Sequence, residues 1–160
     1  MEANTRLFLN RFFLGGICLG SVALGCSFIA AHVFGLVPCV LCKLQRIPFA
    51  LMIANGVLGI ITSYKEGFFR VIICCLGAGV ILGAVHFLVQ LGIAPDFCSS
   101  QRGFQSPEEF SKILQASKCS KVIWSILGIP VSLANALLHG SILWISLRLK
   151  SKAKLTRGVS

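Results

Sequence analysis

Charge is what this chain has least of. Only 12% of its 160 residues are Asp, Glu, Lys or Arg, against 56% hydrophobic, and its mean hydropathy is +0.86. That balance excludes an ordinary water-soluble domain, in which about a quarter of the residues carry charge. Acids are scarcest, five in all, and three of them, Asp96, Glu108 and Glu109, fall in one stretch. Other absences exclude particular chemistries. The basic tail Arg148–Arg157 has no interleaved aromatics, so the net charge of +10 points to membrane topology and anionic headgroups rather than to nucleic acid. Cys39 and Cys42 have no second close pair to complete a zinc ribbon, and Lys43 stands where a c-type haem attachment needs His.

Long apolar sequence is abundant. Crossing a hydrocarbon core takes about 20 apolar residues, and four segments approach or exceed that, at about 12–35, 43–62, 71–91 and 123–147. They predict an all-α membrane protein, a four-transmembrane-helix bundle forming a single membrane domain. The first run follows Arg6 and Arg11 but is too long for the apolar region of a signal peptide, so it is read as retained. Ala23-Leu24-Gly25 before Cys26 is a poor lipoprotein processing site. Nine of the 15 Lys and Arg residues fall on the side of Arg6 and Arg11. The bias predicts cytoplasmic N- and C-termini, outer loops at about 36–42 and 92–122, and a cytoplasmic tail at 148–160.

Within the longer outer loop, Ser106-Pro107-Glu108-Glu109 reads as a helix start, with Ser106 as N-cap and Pro107 at the first helical position. Phe110, Ile113 and Leu114 then share one face, which predicts a short interfacial helix resting on the membrane. Pro48, lacking an N–H, predicts that the second helix begins just before it or kinks there. Gly16-x-x-x-Gly20 and Gly79-x-x-x-Gly83 are spaced to permit close helix approach.

The eight cysteines divide into two kinds. Cys18, Cys26, Cys74 and Cys75 fall inside the predicted spans, where a small apolar packing role is expected. Cys39, Cys42, Cys98 and Cys119 fall on the outer face, where an oxidising compartment favours disulfides, and four cysteines allow three pairings. A bridge within Cys39-Val40-Leu41-Cys42 closes too small a ring to stabilise much by constraining the unfolded chain. Redox chemistry explains that pair better, because a helix N-terminus and the nearby cation Arg46 lower a thiol pKa from about 8.5 toward neutrality.

Cys39-Val40-Leu41-Cys42 with Arg46 four residues later, Cys98 and Cys119 in the second outer loop, Trp124 five residues after Cys119, and His86 with Gln90 near the outer end of the third span form one pattern. It resembles the bacterial disulfide bond formation protein B family, DsbB, four-helix oxidases of the inner membrane that recharge a soluble thiol oxidase using quinone. The resemblance covers all four predicted spans. It implies that Cys98 forms the mixed disulfide with a DsbA-like, thioredoxin-fold partner, that Cys119 is its loop mate, and that electrons pass on to Cys39 and Cys42. Cys42 would face the quinone, ubiquinone or menaquinone, with Arg46 on a carbonyl oxygen and His86 as a further quinone-binding candidate. The plainer readings are a snorkelling interfacial cation for Arg46 and a satisfied polar residue for His86. No role is expected of His32 or His139. The chain departs from many members at Ser125–Pro130, which lacks their methionine-proline-x-tryptophan. Two rivals remain. A vitamin K epoxide reductase-type enzyme carries its loop cysteines before the membrane pair, the reverse of the order here, and a non-catalytic membrane protein would hold the outer cysteines in static bridges.

Overall fold

The structure, a computed structural model, describes residues 3–96, 98, 119–122, 125–126 and 128–155. Among these the order is α1 (Ala3–His32), α2 (Val40–Leu44), α3 (Arg46–Ile61), α4 (Lys65–Gln90), β1 (Ser125–Ile126), β2 (Ile129–Pro130) and α5 (Val131–Leu155). The expected interfacial helix around Ser106–Leu114 and Trp124 lie outside the described residues.

Three helical segments, Thr5–His32, Val40–Ile61 and Lys65–Gln90, are long and apolar enough to cross a membrane. Their outward faces carry Leu14, Val22, Ile29, Ile61 and Ile81 exposed, a surface suited to lipid rather than water. The helices overrun the apolar runs: α1 starts at Ala3 and α4 at Lys65, because helical hydrogen bonding continues into polar flanks. α5 starts at Val131 rather than near Ile123. Before it, Gly128 with φ +81° turns the chain so that Ser125 pairs with Pro130 and Ile126 with Ile129, a small ribbon that the apolar pattern hid.

α2 and α3 nearly form one helix, broken at Gln45. Pro48 is the cause, since it has no N–H to give the Leu44 carbonyl. The α3–α4 turn is closed by Lys65, only 8% exposed, whose Nζ donates to the carbonyls of Gly59 (2.9 Å) and Ile60 (3.2 Å) and to Asn10 Oδ1 (2.8 Å). A cation at a helix C-terminus satisfies carbonyls that have no partner within the helix. α4 ends in a Schellman motif: Gly92, with φ +73°, donates to Val89 O, and Ile93 donates to Leu88 O at 3.0 Å.

The bundle packs α1 on α3, α3 on α4 and α4 on α5. Glycines let the backbones meet. A Cβ at Gly20 would meet the Phe49 carbonyl oxygen at 3.0 Å, and one at Gly83 the Ala136 nitrogen at 2.9 Å. At one end Leu9, Phe13, Met52, Phe69, Ile72, Cys75 and Leu76 form a dry core. Cys75 thus packs as expected, but Cys18, Cys26 and Cys74 do not, since all three are exposed, Cys26 toward the cavity described below. Lipid makes an outward-facing thiol as comfortable as a buried one.

Gly83→Ala should force α4 off α5 and destabilise the bundle by about 1–3 kcal/mol, whereas Gly77→Ala, with open space around it, should be neutral or stabilise by about 0.5–1 kcal/mol. Loss of helical circular dichroism on titration with SDS in mixed micelles measures both.

Candidate active site

Cys39 ends the connection that leaves α1. Gly35, with φ +62°, reverses the chain there, and Cys39 follows in extended conformation as the N-cap of α2. Its Sγ accepts from the Cys42 N–H at 3.2 Å and lies 2.8 Å from Cys42 Sγ. One turn of α2 thus brings the two sulfurs together, as the two-residue spacing requires. The hydrogen bond from the Cys42 thiol is the main reason that the Cys39 thiol sits well below its ordinary pKa. Burial opposes it, and His86 and the Cys42 N–H add to the lowering.

His86, buried on α4, meets this pair with Nε2 3.6 Å from Cys39 Sγ. On its other side the Gln45 amide nitrogen lies 3.1 Å from Nδ1 and also donates to the Leu82 carbonyl at 3.3 Å. A carbonyl only accepts, so the nitrogen of Gln45 faces both groups, Nδ1 accepts, and the imidazole proton sits on Nε2 toward the sulfur. The Gln90 amide nitrogen lies 3.5 Å from the same Nε2, two donors in contact without a hydrogen bond, while its Oε1 accepts from Ser132 Oγ on α5. Polar side chains of Gln45, Gln90 and Ser132 thus gather around His86, which in turn meets Cys39.

Arg46 opens α3 and turns back to α1. Its Nε donates to Ser27 Oγ at 2.9 Å, a terminal nitrogen donates to Ser27 O at 3.3 Å, and the guanidinium lies 4.9 Å from the centre of the Phe28 ring. Half-buried, it is fastened to α1 by these contacts. Cys42, Arg46, His86, Gln90, Ser132 and Asn135 all line a cavity of about 340 Å³, whose remaining wall is mostly apolar and includes Ala23, Leu24, Phe49 and Leu138. Asn135 is only 8% exposed, and its Nδ2 has no hydrogen-bond partner among the described residues.

Cys98 and Cys119 are joined as a disulfide, with Cα atoms 5.7 Å apart, while Cys39 and Cys42 are free thiols. Cys39 and Cys119 are buried in one cluster with Leu41 and Val89, against which Cys42, Ala94 and Cys98 pack. The sequence missed this because the covering residues come from α2, α4 and the distant second loop. Beside the disulfide, Asp96 accepts from the Cys98 N–H (3.0 Å) and the Ser120 N–H (3.1 Å). Burial alone would push its carboxyl up, but these bonds and one from the Ser120 side chain outweigh it and hold it below its ordinary range.

The sequence named Cys39, Cys42, Arg46, His86, Cys98 and Cys119, and the structure gathers all six at one end of the bundle, in the cysteine cluster or on the cavity wall. It also brings in Gln45, Ser27 and Asn135, which sequence reasoning passed over. Asn135 was findable as a polar residue within an apolar run. Sulfurs at 2.8 Å stand about 1 Å closer than two thiolates sharing a tetrahedral zinc at 2.3 Å, so the pair suits thiol–disulfide chemistry better than a zinc ion.

Comparison with known proteins bears on the same residues. The sequence model of a family described as disulfide bond formation protein DsbB matches residues 10–149. The chain is 31% identical over 139 residues to the disulfide bond formation protein B of Polaromonas naphthalenivorans (strain CJ2), an alignment covering 76% of this chain and 83% of that protein. It is 26% identical over 132 residues to the uncharacterized protein RP370 of Rickettsia prowazekii (strain Madrid E), covering 77% of each. With a match over nearly its whole length and apolar helices able to cross a membrane several times, the chain belongs to the DsbB family of membrane oxidoreductases in disulfide bond formation.

Proposed function

We propose that the chain is a thiol:quinone oxidoreductase of the bacterial inner membrane that reoxidises a soluble DsbA-like, thioredoxin-fold thiol oxidase and transfers the electrons to ubiquinone or menaquinone. The observation that carries this reading is the convergence of four cysteines in one cluster whose member Cys42 opens onto an apolar cavity.

The exchange balances as follows. One thiolate of the partner attacks Cys98, the Cys98–Cys119 bond breaks, and the partner's second thiolate resolves the mixed disulfide. The partner leaves oxidised, with two electrons and two protons now on Cys98 and Cys119. The Cys119 thiolate attacks Cys39 of an oxidised Cys39–Cys42 pair and expels Cys42. Cys98 then closes on Cys119 and releases Cys39. This leaves the loop pair bonded and the helix pair reduced, the pairing described above. Burial of Cys39 with Cys119 keeps water away from the internal transfer. The low pKa of Cys39 makes it a good leaving thiolate, and the Nε2–H of His86 gives that thiolate a hydrogen bond.

A quinone is a flat apolar ring with carbonyl acceptors, and the cavity offers apolar walls together with the unpartnered Nδ2 of Asn135. Bound there, it supplies the acceptor for two electrons and two protons. Arg46, with donors to spare beyond Ser27, and Asn135 would hold its oxygens, while His86 and Gln90 order the wall beside Cys42.

A four-span topology with both termini cytoplasmic fits the packing. α5 is about 37 Å long at 1.5 Å per residue, enough for a core of about 30 Å. It runs beside α4, and Lys150 at its far end pairs with Glu66 at 2.9 Å.

When the purified, quinone-loaded protein is mixed with a reduced thioredoxin-fold thiol oxidase, quinone absorbance should fall. The loss should vanish in Cys42→Ala and Cys98→Ala, and no reduction by the wild type with several such partners would leave static disulfides as the better account. Arg46→Gln should weaken quinone binding by about 1.5–3 kcal/mol, roughly tenfold to a hundredfold in KM. Titration of the fully reduced protein by thiolate ultraviolet absorbance should show one thiolate persisting well below the ordinary range as pH falls. Cys42→Ala, which removes the main cause, should return that step toward about 8.5.

A further inference from the structure

The loop disulfide has a second, noncovalent fastening. Asp96 Oδ1 accepts from the Cys98 N–H at 3.0 Å and Oδ2 from the Ser120 N–H at 3.1 Å, so one carboxylate ties together chain segments 24 residues apart. A carboxylate oxygen and both sulfurs lie within 4.8 Å of one another. Asp96 itself follows closely on the Schellman turn that ends α4, and Cys119 is fully buried against Val89 of the same helix. The relay as written needs no carboxylate here, and a negative charge beside sulfurs that must ionise disfavours their thiolates.

Both effects act in one direction. When the Cys98–Cys119 bond opens, the carboxylate still holds the Ser120 backbone beside Cys98, which keeps the thiols at high effective concentration for closure. Its charge meanwhile penalises the thiolate that must leave when a small thiol attacks, which slows opening. We propose that Asp96 is a positioning residue that sets the reduction potential of the Cys98–Cys119 pair, holding it closed against small thiols so that it opens to a docked protein thiolate. The role in turnover rests on the function proposed above, whereas the potential is a property of the loop.

The test equilibrates the whole protein in detergent with glutathione buffers. Two glutathione thiols give two electrons and two protons to Cys98–Cys119, yielding one glutathione disulfide and two cysteine thiols. After acid quenching and alkylation, peptide mass spectrometry reads the loop pair and the Cys39–Cys42 pair separately. Asp96→Asn is isosteric and removes the charge and one acceptor. It should shift the loop equilibrium toward the dithiol at least tenfold, about 30 mV for two electrons, and Asp96→Ala should shift it further. The Cys39–Cys42 equilibrium should stay within twofold and so reports an intact fold. A loop shift below twofold in Asp96→Asn, or one shared equally by Cys39–Cys42, would overturn the assignment. Neither quinone nor partner enters this measurement, so its failure and a failure of quinone reduction are separately visible.

Discussion

The hydrogen bond between the Gln45 amide and His86 Nδ1, buried and 3.1 Å long, joins the helix that carries the cysteine pair to the helix that faces it. Gln45 sits at the break between α2 and α3, and that break exists because Pro48 interrupts the helical ladder. Gln45 keeps helical backbone angles across the break, and its amide is aimed at α4. The imidazole, fixed on one side by Gln45, presents its other nitrogen to Cys39, and the state of that sulfur depends on both Cys42 and His86. The local backbone defect and the electrostatics of the thiol are therefore one arrangement.

Elsewhere many polar side chains among the described residues are paired within the bundle. Ser141 and Ser146 donate to the carbonyls one turn back, Asn55 to Leu51 O, and Lys65 to the end of α3. Such pairing is what an apolar medium demands, because an unsatisfied polar group there costs several kcal/mol. Against that background two buried atoms lack a partner among the described residues, the Nε2 of His139 and the Nδ2 of Asn135, and of the two only Asn135 lies on the cavity wall that Cys42 also lines.

Much of this could be read from the chain itself. Apolar run length announced the membrane helices, and cysteine spacing with Arg46 announced the family that the comparisons then showed. Two-residue spacing also implied a close sulfur pair. The rest depended on long-range packing. Burial of Cys39 and Cys119 comes from residues more than 70 positions apart, and the exposure of Cys18 and Cys74 depends on which helix face meets a neighbour. Hydropathy also hid the ribbon at 125–130, because its residues are as apolar as a span while Gly128 turns the backbone.

Lys65 fastens α3 to α4 at one end, and the Gln45–Leu82 hydrogen bond fastens them again near the other. The two fastenings stand about 15 residues apart along the antiparallel pair and tie its helices together at both ends. A partner engaging the cysteine end therefore has little to bend in this hairpin. The turns at Gly35 and Gly92, both with positive φ, lie outside this hairpin, on the chain that leads to Cys39 and toward Cys98.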